Sequence, residues 1–293
     1  MKKLIDWKGI VFWSNQFYAI AAVLLTIESS LQIAHSFPRW LILALVYLLT
    51  LWYYTQAYLL EASSIHCTER FNWYQKHKSY IKFRQVFLIG VLVYLLLNNF
   101  SVKDELKNVS NSKWLVVFIT GIMALLYYLP SSKLLSFNKN NLYNQIQAWF
   151  KSISIAWIWM FATSIFPIIA NTSVLYYCQN FIFILLLAIL FDIKDQEADA
   201  LLKRNTLVTV YGIQFVLRFL VPILTLLNFS LITLLFFVAK FPMYYVLIQS
   251  LTGILILSIS GNMKGINKVH QHILYIDGLL FIKAILGILF VKL

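Results

Sequence analysis

The sequence predicts an all-α protein: a polytopic membrane bundle of nine transmembrane helices, forming a single transmembrane domain over residues 1–293. Three observations predict it. The chain is 61% hydrophobic and 12% charged, where soluble domains carry roughly 25% charged residues. Its apolar residues come in blocks of about 20, the length a helix needs to cross a bilayer core. Its 24 Lys and Arg residues sit largely in the short loops between those blocks, facing anionic headgroups rather than nucleic acid. The net charge of +13 is therefore a topology signal, and nucleic acid is not an expected partner.

The blocks are read in order. Met1-Lys2-Lys3 before an apolar run resembles a signal peptide. Trp13, Asn15 and Gln16 interrupt that run and no small-x-small cleavage site follows, so it reads as a retained first span, Ile10 to Ala34. The second span is Trp40 to Leu60, followed by a polar loop, Glu61 to Arg84. The third is Val86 to Phe100 and the fourth Trp114 to Leu129, where Pro130 stops the helix. After a polar segment, Ser131 to Gln147, come the fifth span, Ala148 to Ile169, and the sixth, Val174 to Phe191. The seventh is Thr206 to Leu227. The eighth, Leu231 to Ser260, is long and expected to kink at Pro242. The ninth is His272 to Phe290.

With the N-terminus inside, the inner segments hold 16 Lys or Arg and the outer segments five, while Arg218, Lys240 and Lys283 fall within spans. That bias orients the chain with its N-terminus in the cytoplasm, as an integral multi-pass protein, of the plasma (inner) membrane if the source is bacterial. Cys67 and Cys178 have neither metal-ligand nor disulfide-framework spacing. His270-Gln271-His272 is too short a constellation to make a metal site.

Directly after the apolar run Phe181 to Leu190 comes Phe191-Asp192-Ile193-Lys194-Asp195-Gln196-Glu197-Ala198-Asp199, which holds four of the chain's eleven acidic residues. Asp192, Asp195 and Asp199 are spaced i, i+3, i+7, which puts three carboxylates on one face of a helix. Like charges so placed repel unless a cation lies between them. A hard divalent ion of the Mg²⁺ type, bringing a phosphate with it, suits oxygen-only ligands. Lys194, Lys203 and Arg204 nearby offer a plainer way to neutralise the acids, as a solvated helix end.

This stretch, with Thr206-Leu207-Val208-Thr209-Val210-Tyr211-Gly212 after it, resembles the second aspartate-rich signature of the UbiA superfamily of intramembrane prenyltransferases. The three aspartates, Thr206, Leu207 and Gly212 keep the signature's spacing. The nine spans and the position after span six also match. The resemblance implies an isoprenoid diphosphate bound in a helical bundle, Mg²⁺ bridging it to aspartate motifs after spans two and six, and transfer of the isoprenoid to an aromatic or other lipophilic acceptor. Asp192, Asp195 and Asp199 are then metal ligands. Tyr128, Lys133 and Lys151 are the candidate diphosphate contacts, each equally readable as an interfacial side chain.

The first motif departs from the family. Tyr53 to Glu69 contains no aspartate. Gln56 stands near the motif's asparagine, and Glu61, His66 and Glu69 are the replacement candidates, at a different spacing. In the second region Lys203, Asn205 and Val208 replace the family's Gly, basic residue and Pro.

Glu28, Arg218, Lys240, Asp277 and Lys283 are intramembrane charges that need partners. Arg218 is expected to face the bundle interior, Lys240 to mark a break beside Pro242, and Asp277 to pair with a base. Trp157, Trp159 and Tyr127 are candidates to line an isoprenoid pocket. Three functions remain open on the sequence: a Mg²⁺-dependent prenyltransferase; a non-catalytic relative that binds an isoprenoid or lipid or serves as a membrane-complex subunit; and a transporter with Arg218 and Lys240 on its substrate path.

Overall fold

The computed structural model describes residues 9–61, 69–98, 111–128, 141–168, 173–201, 205–262 and 273–291. Every regular element among them is helical. Among the described residues there are nine helical passes: Gln16–Ala34, Trp40–Glu61, Lys78–Asn98, Asn111–Tyr128, Asn141–Met160, Val174–Lys194, Ile213–Phe237, Met243–Asn262 and Gly278–Phe290. Six of them are long and apolar enough to cross a bilayer, and the protein is an integral membrane helical bundle.

The sixth span, Val174–Lys194, is the axis, with an unbroken buried run from Ile182 to Leu190. It packs between the fifth and seventh spans. The chain of neighbours continues seventh to eighth, eighth to ninth, ninth to first and first to second, and the first span also meets the π-helical end of the fifth. The third and fourth spans lie outside this ring, against the second and fifth, and show apolar side chains such as Phe83, Phe87, Phe118 and Leu125 outward. In a bilayer that face meets lipid.

The span ends differ from expectation in three places. The third span begins at Lys78, because Arg84 and Gln85 are used within the bundle. Arg84 donates to Thr55 Oγ1 (3.0 Å) and Gln85 to the Trp52 carbonyl (2.9 Å). The fifth begins at Asn141, inside the segment read as polar loop, and continues past Met160 through a π turn, Phe161–Ile165. The break between spans seven and eight is not at Asn228-Phe229-Ser230. Asn228 is buried and accepts from Gln179 Nε2 (3.2 Å), and Ser230 Oγ donates to the Leu226 carbonyl (3.0 Å), so the helix runs on to Phe237. The chain turns instead at Lys240 (φ 57°), and Pro242 begins the next helix rather than kinking it.

Arg218 does not face the interior. It is exposed, in the π-helical turn Val216–Leu220 near the start of the seventh span, where its long stem can lift the charge toward water. Lys240 is likewise exposed, in the turn.

Candidate functional site

The sixth span stops at Lys194, Asp195 forms its C-terminal cap, and a short helix, Gln196–Leu201, carries the chain on. The Asp195 amide donates to the Phe191 carbonyl (3.1 Å) and the Asp199 amide to the Asp195 carbonyl (2.8 Å), so the helical path bends without losing its periodicity. All three aspartates consequently line one cavity, of about 130 Å³.

The next segment is anchored on the fifth span. Asn205 Nδ2 donates to Asn144 Oδ1 (2.9 Å) and Gln147 Oε1 (2.7 Å). Thr206 then caps the following turn: its hydroxyl accepts from the Thr209 amide (3.2 Å), and Thr209 Oγ1 accepts from the Thr206 amide (2.8 Å). Such reciprocal caps satisfy two otherwise unpaired amides at a helix start. Gly212, at φ 84°, ends that turn in a conformation that only glycine adopts freely.

Lys151 is the hub of the polar end. Its Nζ lies 2.8 Å from Asp192 Oδ1 and 2.9 Å from Asp199 Oδ2, and the remaining Asp192 oxygen accepts from Ser152 Oγ (3.1 Å). Asp192 and Asp199 are each 3% exposed. Asp195 pairs with Lys194 Nζ (3.2 Å), which also lies 3.6 Å above the Phe191 ring. The sequence brings Lys194 and the aspartates together as anticipated, while Lys151 is met as a partner of the acids.

The rest of the cavity is aromatic and apolar. Tyr18 stacks on Tyr54 (5.0 Å between ring centres), and Trp159 Nε1 donates to Tyr54 OH (2.5 Å). Tyr53, Tyr58, Tyr127, Ile155, Ile158, Ile184 and Leu187 extend the lining. Trp159 and Tyr127 thus both line this cavity. Trp157 does not: it donates to Thr120 Oγ1 (3.0 Å) on the fourth span. Asp277, at the start of the ninth span, faces the same cavity and accepts from Tyr18 OH (2.9 Å), with the charges of Lys194 and Arg70 acting on it as the expected bases.

Sequence reasoning missed Tyr18, Tyr53, Tyr54 and Tyr58. The signal available was Tyr54 and Tyr58 at i, i+4, which share a helix face. It also passed over Arg70, on the short helix Glu69–Lys76, whose guanidinium lies 4.4 Å above the Tyr58 ring. Burial works against its charge, but attraction to Tyr58, Tyr18 and Asp195 outweighs that and holds its pKa above the usual arginine value. Arg70 Nη2 is buried with no hydrogen-bond partner among the described residues.

Of the other sequence candidates, Lys133 and His66 lie outside the described residues, as do the side chains of Tyr128, Glu61 and Glu69. Gln56 accepts from Gln85 Nε2 (3.4 Å) on the third span and is not part of the cavity lining. Among the described residues, no carboxylate from the end of the second span reaches the cavity.

A divalent ion fits this donor set in one way. As the side chains stand, no group of three His, Cys, Asp or Glu among the described residues is gathered to hold a metal. Asp192 and Asp199 do converge on a single point, the one Lys151 Nζ occupies. Two convergent carboxylates suit one Mg²⁺ that completes its shell with water and phosphate oxygens. The lining carries four carboxylates, Asp192, Asp195, Asp199 and Asp277, against one ammonium, Lys151. Even with Lys194 on Asp195 and Arg70 beside Tyr58, these cations do not outnumber the carboxylates, so a cation that accompanies an anionic ligand eases its entry.

No protein-family model matches the chain, and no curated protein matches it by sequence. Its fold matches a solved structure, that of digeranylgeranylglyceryl phosphate synthase in membranes, at a TM-score of 0.54 and 18% identity, over 100% of both chains.

Proposed function

We propose that this protein is an intramembrane prenyltransferase of the UbiA type, which moves an isoprenoid chain from a prenyl diphosphate to an aromatic or other lipophilic acceptor. One observation carries the reading. An apolar, tyrosine-lined chamber runs directly into a cluster of aspartates and a lysine at one end of a membrane bundle. That is the division a prenyl diphosphate needs, with a hydrocarbon chain at one end and three or so negative charges at the other. The fold shared with a membrane synthase supports the same reading, as does the aspartate spacing. The positive-inside bias puts the aspartate end in the cytoplasm, where diphosphates are made.

In this reading Asp192, Asp195 and Asp199 would hold Mg²⁺, Asp192 and Asp199 where they already converge and Asp195 once it leaves Lys194, and the ion would draw charge off the departing diphosphate. Lys151 supplies a cationic contact to the diphosphate oxygens, and Tyr128 and Lys133 join it. The allylic C–O bond breaks with its electron pair leaving on the diphosphate. The faces of Tyr18, Tyr54 and Trp159 stabilise the positive charge that develops on the isoprenoid. The apolar wall of Ile155, Ile158, Ile184 and Leu187 limits the access of water to it. The acceptor's electron pair forms the new bond, and its proton is released.

A second reading is favoured by a specific observation, the absence of any aspartate from Tyr53 to Glu69 in the sequence: a relative that binds the lipid without transferring it, alone or as a membrane-complex subunit. One assay separates the two. Purified protein in lipid nanodiscs receives radiolabelled prenyl diphosphates of graded length with Mg²⁺ and a panel of lipophilic acceptors. Labelled product that disappears with Asp192→Asn supports transfer. Saturable binding of the label with neither product nor released diphosphate identifies the binding-only relative. Neither binding nor turnover refutes both.

A further inference from the structure

We propose that the Lys151 ammonium acts as a tethered stand-in for the divalent ion: it fills the seat between Asp192 and Asp199 in the resting protein and yields it to the metal most readily when a diphosphate arrives as well, to which Lys151 then turns. The inference rests on the proposed function above and deepens it by assigning the order in which the site fills.

The geometry is specific to Lys151. Its nitrogen contacts one oxygen of each carboxylate at 2.8 and 2.9 Å. Mg²⁺ draws its oxygen ligands to about 2.1 Å, and it would draw on these same two oxygens. The ion and the ammonium therefore exclude each other. The seat itself persists when Lys151 leaves, because Asp192 is held independently by Ser152 Oγ at 3.1 Å. Lys151 also has somewhere to go: its side chain is 21% exposed, while those of Asp192 and Asp199 are 5% and 4% exposed. The carboxylates stay and the flexible four-carbon stem moves.

The charges give the reason for such a device. Asp192 and Asp199 are nearly enclosed, so without a cation their repulsion is poorly screened. Lys151 supplies that cation from the chain itself. A metal arriving alone takes both of the ammonium's carboxylates, and the other two of the lining are already engaged, Asp195 by Lys194 and Asp277 by Tyr18, which weakens binding. A metal arriving with a diphosphate brings the displaced ammonium a new partner, so metal and diphosphate bind cooperatively. A chain with a second, independent aspartate motif would have less need of this coupling, and in this one the stretch Tyr53 to Glu69 contains no aspartate.

The test uses full-length protein in nanodiscs, Mn²⁺ as the metal probe read by electron paramagnetic resonance, and inorganic pyrophosphate in place of substrate. With Lys151→Met, Mn²⁺ alone should bind on the order of tenfold or more tightly than to wild type, the size expected when a charge beside a partly buried site is removed. Lys151→Arg should keep the weak wild-type affinity, and pyrophosphate should strengthen Mn²⁺ binding more in wild type than in Lys151→Met. Equal Mn²⁺ affinity in wild type and Lys151→Met overturns the proposal. A wild-type measurement guards against a variant that fails to fold: saturating Mg²⁺ without pyrophosphate should speed acylation of Lys151 by an amine reagent, read by mass spectrometry. An unchanged rate at saturating metal also overturns it. No isoprenoid or acceptor enters these experiments, so a chain that never transfers a prenyl group can still display the exchange, and an active one can lack it.

Discussion

Removing Lys283 should destabilise the bundle more than removing Lys283 and Glu28 together. Both side chains are 0% exposed. Lys283 Nζ lies 2.8 Å from Glu28 Oε1 and 2.6 Å from Oε2, and Oε1 also accepts from Gln249 Nε2 at 3.3 Å. Gln249 continues the network through Gln179 to Asn228 and Tyr245, so the pair and its neighbours join the first, sixth, seventh, eighth and ninth spans. Lys283→Met strands a carboxylate with only the neutral donors Gln249 and Tyr176 inside the bundle. Breaking a buried pair from one side costs about 3–5 kcal/mol, whereas replacing both partners by uncharged groups of similar size is often close to neutral. Glu28→Gln with Lys283→Met keeps the Gln249 contact and removes both charges, so a loss of about 1–2 kcal/mol is expected from the altered packing alone. Chemical or thermal unfolding in a fixed detergent, run as a double-mutant cycle, measures the difference. The reasoning fails if the double variant loses as much as the sum of the two single ones, because the pair would then have no coupling. Gly287 offers a covalent check from the other side. A Cβ there would stand 2.5 Å from Glu28 Cγ, so Gly287→Ala should loosen the same pair without touching a charge.

Other outcomes follow from single features. Chelation with EDTA should abolish prenyl transfer, and Mg²⁺ should restore it while leaving the melting temperature of the ligand-free protein nearly unchanged; activity that persists in EDTA would count against the metal role. Thr206→Ala removes the cap that begins the segment after the aspartates and should cost about 1 kcal/mol, seen as a lower unfolding midpoint. Arg218→Leu should change stability by no more than about 0.5 kcal/mol, as expected for an exposed side chain, and a large loss in the unfolding assay would mean that it has an interior partner after all. Tyr18→Phe deletes the hydrogen bond to Asp277 while keeping the stack on Tyr54. It should alter turnover with little change in prenyl-diphosphate affinity, measured by separating kcat from KM.

Much of the architecture was legible in the chain because bilayer physics leaves few choices. Runs of apolar residues about 20 long must be helices, since hydrocarbon satisfies no backbone amide. The second, fourth, sixth and ninth spans accordingly stand within a few residues of where hydropathy put them. Where polar residues were taken as punctuation, the reading slipped. Asn228 and Ser230 belong to the inside of a helix, because in a membrane bundle a polar side chain finds its partner on another span. Arg218 showed the converse: a charge inside an apolar run need not point inward when its stem reaches the interface.

The site divides along the same line. That Asp192, Asp195 and Asp199 share one side of the chain is a local property, set by a rise of 3.6 residues per turn, and the spacing alone determined it. Which cation faces them is not local. Lys151 lies 41 positions before Asp192 in the chain, and only the packing of the fifth span on the sixth brings its nitrogen between two carboxylates. The pairings of Lys283 with Glu28 and of Asp277 with Tyr18 span more than 250 residues and carry no mark in the sequence, because a charge names the kind of partner it needs and never its address. Helix periodicity and bilayer thickness act over one turn or one span, so the residues themselves decide those; who meets whom across the bundle is decided only when the spans close on one another.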